Sequence, residues 1–400
     1  MNIFKKAFCR SFQAVMRIMI PLFPYREPDL VEGNSGVADL LMARGVKRAM
    51  LVTGPRIRKR GLTETLERLI TEAGIDLTVF SDTEIDPTSS SVEAARALYR
   101  ERGCEALIAF GGGSVMDCAK AVGARIARPK KPLAKMAGLI KIRRRIPLLI
   151  AVPTTAGSGS ETTVAAVIVD SETRRKYVIN DFALIPRYVL LDPAVTTGLP
   201  APLTATTGMD ALTHAVEAYI GNSRTRGTKR AAEEAVRLIF DNLERAYANG
   251  EDIEARANML RASYLAGTAF TKSYVGYVHA VAHTLGGRYG VAHGHANAVL
   301  LPVVLRAYGK YAVRPLAELA MAVGLAEAGE SREAAAERII SHIEAMNAKM
   351  NIPTSIPEIA DEDISALART AASEANPLYP VPTLWSASEL EAIYRLVSGK

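Results

Sequence analysis

The sequence is poor in cysteine and in aromatic residues, and it lacks a long apolar run. Its three cysteines, Cys9, Cys104 and Cys118, form neither an even set nor a CxxC pair, which argues against a disulfide framework. Aromatic residues make up only 6% of the chain, and no stretch approaches the uninterrupted apolar length of a membrane-spanning helix. These absences predict a globular protein of a reducing compartment, by default the cytoplasm.

Basic residues outnumber acidic ones and give the chain a formal net charge of +7. They are scattered, with few aromatic residues among them, and therefore do not predict a nucleic-acid-binding surface. The densest cluster is "RPKKPLAKMAGLIKIRRR" at 128–145. Two interpretations stay open for it: a solvated basic loop, or a site that attracts phosphate-bearing ligands.

Residues 1–30 are predicted to form an N-terminal extension. Within residues 1–22, apolar side chains recur near helical spacing with lysines and arginines between them, which predicts an amphipathic helix. The charges are not gathered ahead of one apolar block, as they would be in a signal peptide. The pattern leaves two interpretations open: packing on the body or on a partner subunit, or peripheral contact with a membrane surface.

The predicted secondary structure of the chain changes near residue 200. Before that point, short β-rich runs alternate with helical stretches, which predicts a mostly parallel sheet covered by helices. After it, long helical patterns follow with no convincing strand. We therefore expect an α/β domain at 31–200 and an all-helical domain at 201–400. The predicted strands are 48–54, 76–82, 106–113, 147–155, 165–170 and 188–193.

Two segments rich in Gly, Ser and Thr follow predicted strands. In "ALIAFGGGSVMDCAKAVG" (106–123) a bare glycine backbone precedes a helix, so main-chain N–H groups can contact a phosphate. Ser114 is expected to cap that helix, with Asp117 at its N3 position. The segment "VPTTAGSGSETT" (152–163) brings hydroxyls and amides to another strand end. Together the two segments predict a dinucleotide site.

Histidines are concentrated in the helical half. Asp210 and His214 are four residues apart, so they share one face of a helix. His279 and His283 have the same spacing, and His293 follows a Gly-rich turn. The neighbouring residues are mostly Ala, Val and Leu, which is typical of a buried setting. One carboxylate with several neutral imidazoles there predicts a transition-metal site.

Several motifs together resemble those of the iron-containing (group III) alcohol dehydrogenase family. They are "GGGSVMDCAK", "PTTAGSGSE", "TTGMDALTHAVEAYI" and "VHAVAHTLGGRYGVAHGHANAVLLP", in the family's order and spacing. The resemblance implies the dehydroquinate synthase-like fold, in which a dinucleotide-binding α/β domain precedes a helical metal-binding domain. It also implies a homodimer.

The resemblance assigns roles to individual residues. It implies that Asp210, His214, His279 and His293 hold the metal. It places His283 beside the metal and the nicotinamide, in a proton relay. The residues that it places at the cofactor are Gly54, Gly112, Gly113, Ser114, Asp117, Thr154, Thr155, Thr163 and Lys176.

One departure from the family pattern concerns the coenzyme. Many members carry Asp after the first strand, where it binds the ribose 2′-hydroxyl and repels a 2′-phosphate. Gly54 stands there in this chain, with Arg56 and Lys59 nearby. Losing the carboxylate and gaining a guanidinium favours NADP, or at least a relaxed choice between NADP and NAD.

The resemblance thus implies a metal-dependent, NAD(P)-linked alcohol dehydrogenase or aldehyde reductase for a small alcohol or aldehyde. Fe²⁺ is the family's typical metal, and Zn²⁺ or another divalent ion would suit the same ligands. One alternative is a sugar-phosphate cyclase of the dehydroquinate synthase kind, which requires differently spaced ligands and a Lys/Arg cluster beside them. Another is a non-catalytic metal-binding scaffold.

Overall fold

The structure, a computed structural model, describes residues 1–399; the predicted helical domain ends at residue 400, which lies outside them. The chain divides into two compact units. One is Pro24–Gly198, and the other combines Met1–Phe23 with the residues from Leu199 onward. The first 23 residues therefore belong with the helical unit instead of forming a region of their own.

The unit Pro24–Gly198 is built on a six-stranded parallel sheet. Its strand order is β1-β9-β6-β4-β2-β3, and every pairing in it is parallel. The inner strands consist mostly of Val, Leu, Ile and Ala and are buried on both faces, because helices cover the sheet on either side. The strands are β1 (Asp29–Val31), β2 (Arg48–Val52), β3 (Asp76–Phe80), β4 (Ala106–Gly111), β5 (Gly138–Leu139), β6 (Leu148–Pro153), β7 (Ala165–Val169), β8 (Lys176–Asn180) and β9 (Tyr188–Leu190). The helices are α2 (Gly33–Ala43), α3 (Pro55–Lys59), α4 (Glu64–Glu72), α5 (Ser89–Glu101) and α6 (Gly113–Ala127).

This arrangement confirms the predicted α/β sheet and corrects one part of it. The predicted strand 165–170 exists as β7, but it belongs to a separate three-stranded sheet in the order β5-β8-β7. There it pairs antiparallel with β8. The sequence patterns missed β1, β5 and β8, because two of these strands are very short and β8 is only partly buried.

The second unit is helical, as predicted, and the structure assigns no strand to its described residues. Three of its helices, α7, α10 and α11, carry the predicted metal ligands, and α7 is buried over nearly its whole length. None of the described helices is both long enough and apolar enough to cross a membrane. The helices are α1 (Ile3–Met19), α7 (Ala201–Ile220), α8 (Arg226–Ala248), α9 (Ile253–Ser273), α10 (Tyr277–Tyr289), α11 (His293–Tyr308), α12 (Lys310–Ala322), α13 (Arg332–Lys349), α14 (Ile364–Ala375) and α15 (Ala387–Val397).

A buried lysine ties α6 to the segment before β7. The Lys120 ammonium has no exposed surface and donates to the carbonyl of Thr163 at 2.9 Å, to the Thr163 hydroxyl at 2.8 Å and to the carbonyl of Ala165 at 2.9 Å. Burial lowers the pKa of Lys120 to about 8, although the carboxylates of Asp117 and Glu161 oppose that effect. The three hydrogen bonds fix α6 relative to the loop that begins at Thr154.

Replacing this lysine should destabilise the α/β unit. Lys120→Met keeps the length of the side chain but leaves three buried acceptors without their donor, so we expect a loss of about 2–5 kcal/mol in the free energy of unfolding. Urea unfolding followed by circular dichroism measures this loss. Lys135→Met, at an exposed lysine of the same unit, is the matched control, and equal stability of the two variants would contradict the assignment.

Candidate functional site

Three helices of the second unit each present one side of a titratable cluster. Helix α7 carries Asp210 and His214, α10 carries His279, and α11 begins at His293. One ligand atom from each of these four residues lies within 4.8 Å of the others. The structure thus brings together all four residues that the sequence analysis placed at the metal.

Close packing of α11 against α7 brings His293 to this point. Gly294 follows it, and a Cβ atom at Gly294 would lie 2.4 Å from the carbonyl oxygen of Thr206 on α7. Any side chain there would push the two helices apart, because real Cβ atoms do not approach a carbonyl that closely. His293 Nε2 lies 3.4 Å from Asp210 Oδ1 as a result.

The cluster is buried on one side and exposed to solvent on the other. Asp210, His214 and His279 are at most 5% exposed, whereas the His293 side chain is 41% exposed. Burial holds the pKa of His279 well below its ordinary value, and the neighbouring imidazoles lower it further. A neutral imidazole is the form that binds a metal.

A buried carboxylate supports the cluster from behind, and the sequence analysis missed it. Glu217 Oε2 lies 2.6 Å from Nδ1 of His279, and the carboxylate also accepts the main-chain N–H groups of Gly276 and Val278, both at 2.8 Å. Burial raises the pKa of Glu217 to about 7, while these N–H groups lower it. By accepting the Nδ1 proton, Glu217 leaves the Nε2 lone pair of His279 facing Asp210.

Asn297 is a second residue that the sequence analysis missed. Its side-chain amide nitrogen donates to Asp210 Oδ1 at 2.7 Å and lies 3.1 Å from Nε2 of His293 and 3.3 Å from Nε2 of His279. Atoms of three of the four ligand residues therefore surround the positively polarised amide of Asn297. Such a set suits a cation, and the four side chains fit a divalent metal of the kind that binds nitrogen and oxygen ligands.

Both missed residues had a weak signal in the sequence. Glu217 lies seven residues after Asp210 and Asn297 lies four residues after His293, so each follows a ligand on the same helix face. Each is also a single polar residue within an apolar helical stretch.

His283 adjoins the four predicted ligands without being one of them. Its ring stacks on that of His293 with 5.2 Å between the ring centroids. Its Nδ1 lies 2.6 Å from Glu374 Oε1, and the Tyr379 hydroxyl donates to the same carboxylate oxygen at 2.8 Å. Desolvation is the largest effect and lowers the pKa of His283, but the hydrogen bond to Glu374 and the negative charges of Glu374, Asp210 and Glu217 together raise the pKa overall.

In the α/β unit, the two Gly/Ser/Thr segments meet at the carboxyl ends of adjacent strands. Gly111 at the end of β4 pairs with Pro153 of β6, and the N–H of Thr154 donates to the carbonyl of Gly111 at 3.1 Å. A Cβ atom at Gly112 would lie 3.2 Å from the Thr155 hydroxyl. The bare backbone and the hydroxyl therefore form one narrow cradle, which fits the pyrophosphate of a dinucleotide.

The chain direction places this cradle at a topological switch point of the sheet. From β2 the chain first continues to β3 on one side and then crosses to β4 and β6 on the other. Open α/β sheets bind ligands where the strand order reverses. Gly54 follows β2 and Gly112 follows β4, so both lie at the carboxyl ends of the two strands that flank this point.

The start of α6 differs from the prediction. Gly112, rather than Ser114, is the N-cap, and no side chain caps the helix. The predicted capping role of Ser114 is therefore wrong. Its hydroxyl instead accepts the main-chain N–H of Asp86 at 3.3 Å, while Asp117 accepts the N–H of Val167 at 3.1 Å. Without a side-chain cap, the first N–H groups of α6 stay available to a ligand.

The two remaining residues of the predicted cofactor set occupy different surroundings. The Thr163 hydroxyl accepts a hydrogen bond from Lys120 and so belongs to the support of the cradle. Lys176 begins β8 and forms a 2.7 Å ion pair with Asp86. Because the Asp86 N–H also donates to Ser114, this pair links Lys176 to the first turn of α6.

Comparison with known proteins gives a consistent result over both units. Residues 32–193 match the model "Iron-containing alcohol dehydrogenase", and residues 204–397 match "Fe-containing alcohol dehydrogenase family, C-terminal". The chain is 39% identical over 366 residues to 1,3-propanediol dehydrogenase of Klebsiella pneumoniae, covering 90% of this chain and 94% of that one. It is 37% identical over 349 residues to the NAD-dependent methanol dehydrogenase of Bacillus methanolicus, covering 86% and 91% of the two chains.

Comparison with solved structures gives the same family. A 1,3-propanediol oxidoreductase superimposes with a TM-score of 0.89 at 37% identity, covering 93% of this chain and 99% of the other. An alcohol dehydrogenase from Oenococcus oeni gives 0.88 at 32% identity, covering 93% and 100%. The relatives are dehydrogenases, so the cyclase and scaffold alternatives are not favoured. The chain is an alcohol dehydrogenase and belongs to the iron-containing alcohol dehydrogenase family.

Proposed function

We propose that Asp210, His214, His279 and His293 bind a divalent metal, and that the enzyme transfers hydride between NAD(P) and a small alcohol or aldehyde. The convergence of one carboxylate and three imidazoles within 4.8 Å carries this proposal. Fe²⁺ is the metal that the family name indicates, and Zn²⁺ or another divalent ion suits the same ligands.

The metal and the nicotinamide would carry out the chemistry, and side chains of the protein would bind and orient them. A divalent metal is a Lewis acid that lowers the pKa of an alcohol, and the nicotinamide accepts or donates the hydride. The negative charge of Asp210 offsets part of the cation's charge. Glu217 is a positioning residue, because it fixes the tautomer and the ring orientation of His279.

His283 is the residue that we assign to proton transfer. Its Nδ1 faces Glu374, so its Nε2 is the atom left to accept a proton from the substrate alcohol. The Glu374 carboxylate favours the protonated ring that results, and Tyr379 holds that carboxylate in place. In the reverse direction the same ring returns a proton to the product of aldehyde reduction.

The names of the relatives support a short-chain alcohol as substrate. They include 1,3-propanediol dehydrogenases and an NAD-dependent methanol dehydrogenase. Besides this small molecule and the coenzyme, we expect one further partner, a second copy of the chain in a homodimer. We expect no binding of nucleic acid. We place the enzyme in the cytoplasm, which the three unpaired and buried cysteines support.

The coenzyme is proposed to bind at the cradle formed by Gly112, Gly113, Thr154 and Thr155, with Ser114, Asp117, Thr163 and Lys176 around it. The uncapped start of α6 supports a phosphate position there. Gly54, next to Arg56, supports NADP or a relaxed choice of coenzyme.

Metal-dependent turnover tests the proposed function. The protein, purified without oxygen and stripped of metal, should consume NADH or NADPH with short aldehydes only after Fe²⁺ or Zn²⁺ is added. His279→Ala should lose both bound metal and turnover, because it removes one ligand and the partner of Glu217. His342→Ala, at a histidine outside the cluster, is the control. Stoichiometric metal without turnover on any aldehyde would contradict the proposed reaction.

The supporting carboxylate gives a test that does not depend on activity. Glu217→Gln keeps the side-chain shape but loses its charge, so metal affinity should fall by about 10- to 100-fold. Competition with a chelating dye measures this affinity. Glu233→Gln, at a carboxylate that accepts a hydrogen bond from Tyr219, is the matched control. Unchanged metal affinity in Glu217→Gln would remove its positioning role.

Gly54→Asp tests the coenzyme assignment. The backbone of Gly54 has φ of −107°, which any residue adopts, and a Cβ atom would lie 3.2 Å from the carbonyl of Thr83, a tight contact. We expect the NADP/NAD ratio of kcat/KM to fall about tenfold or more, because a carboxylate repels the 2′-phosphate. Gly54→Asn adds the same bulk without charge and should shift the ratio much less. Equal ratios in the two variants would contradict the charge argument.

A further inference from the structure

Helix α1 turns its apolar side chains away from the protein. Phe4, Phe8 and Ile18 are 83%, 60% and 71% exposed, and helical spacing places them on one stripe together with Val15. Leu22, just after the helix, is 72% exposed. Seven of the eighteen large hydrophobic side chains that are exposed among the described residues lie within residues 1–22. Scattered exposed apolar residues are ordinary, but a contiguous exposed stripe indicates an interaction surface.

Polar hydrogen bonds on the opposite side of α1 determine which face is outward. The Arg10 guanidinium donates to the carbonyls of Val381 and Pro382 at 2.8 and 2.9 Å. The buried Gln13 amide donates to the carbonyl of Tyr379 at 2.7 Å. These contacts hold the polar face of α1 against the helical unit, so the apolar stripe stays exposed instead of entering the core.

Helix α1 carries exposed cations besides its apolar stripe, and acidic residues are missing from this part of the chain. Lys5 lies next to one edge of the stripe, while Lys6 and Arg17 lie on the same side of the helix as Arg10 and Gln13, and all three are exposed. The first 26 residues contain no Asp or Glu. Their charge therefore complements an anionic surface.

We propose that α1 is a docking surface for a membrane with anionic lipid headgroups, on which the helix lies parallel to the bilayer plane. Its apolar stripe would enter the boundary between headgroups and acyl chains, and the charges of Lys5, Lys6 and Arg17 would attract the anionic headgroups. A second copy of the chain fits this surface less well. Symmetric pairing of two α1 helices would bring together two segments of net positive charge, and neither contains an acidic residue to offset that charge.

Binding to vesicles tests the proposal on the full-length protein. We expect it to co-sediment with vesicles of phosphatidylcholine mixed with phosphatidylglycerol and not with vesicles of phosphatidylcholine alone. The triple variant Phe4→Ser, Phe8→Ser, Ile18→Ser should bind the mixed vesicles at least about tenfold more weakly, because it removes the apolar side chains that would be buried. The test keeps α1 in place, since deleting it would also remove the contacts of Arg10 and Gln13.

Two further triple variants test the role of the cations and the specificity for α1. Lys5→Glu, Lys6→Glu, Arg17→Glu should lose binding to the mixed vesicles even if the serine variant fails to fold. Ile85→Ser, Leu139→Ser, Met321→Ser changes three exposed apolar residues elsewhere and should bind as the unchanged protein does.

Raising the salt concentration should also release the protein from mixed vesicles. Equal binding to both kinds of vesicle, or binding that survives both α1 variants, would overturn the proposal. Failure of the unchanged protein to bind either kind of vesicle would also overturn the proposal. A change of oligomeric state in the serine variant would then indicate that α1 contacts a second copy of the chain.

Discussion

A carboxylate and three imidazoles are directed at a common point in a largely buried interior, and this arrangement constrains the helices around it. Such a set is unfavourable without a donor or cation at its centre, because buried polar atoms need partners. The sequence meets this constraint with pairs of polar residues four apart on α7, α10 and α11, each pair on one face of its helix. Glu217 behind His279 and Gly294 between two helices then fix the geometry.

The two units present different chemical groups, main-chain N–H groups in one and side chains in the other. The α/β unit exposes main-chain N–H groups at strand ends, where glycines keep the backbone bare, and the buried Lys120 holds the supporting loop. The helical unit instead exposes side chains on rigid helices, which hold their positions more precisely than loops do. Phosphate recognition needs only backbone and charge, whereas metal ligation needs particular side chains at set distances.

Much of this could be predicted from the sequence, for identifiable reasons. Strands β2, β4 and β6 are continuous apolar runs, and the four-residue spacing of Asp210 and His214 is unambiguous on a helix. Glu217, Asn297 and Glu374 were not predicted, because their roles arise from contacts 62, 87 and 91 residues apart in sequence. The same limit applies to α1. Its amphipathic pattern is visible in the sequence, but only the contacts of Arg10 and Gln13 show which face is outward.

X-ray absorption at the iron edge of the protein reloaded with one equivalent of Fe²⁺ tests the four-residue metal site, since it reports the atoms around the metal without requiring turnover. We expect a first shell of nitrogen and oxygen, with the outer-shell scattering from imidazole carbons that several histidine ligands produce. A shell of oxygen atoms alone, without imidazole scattering, would mean that iron binds elsewhere and would contradict the assignment of Asp210, His214, His279 and His293.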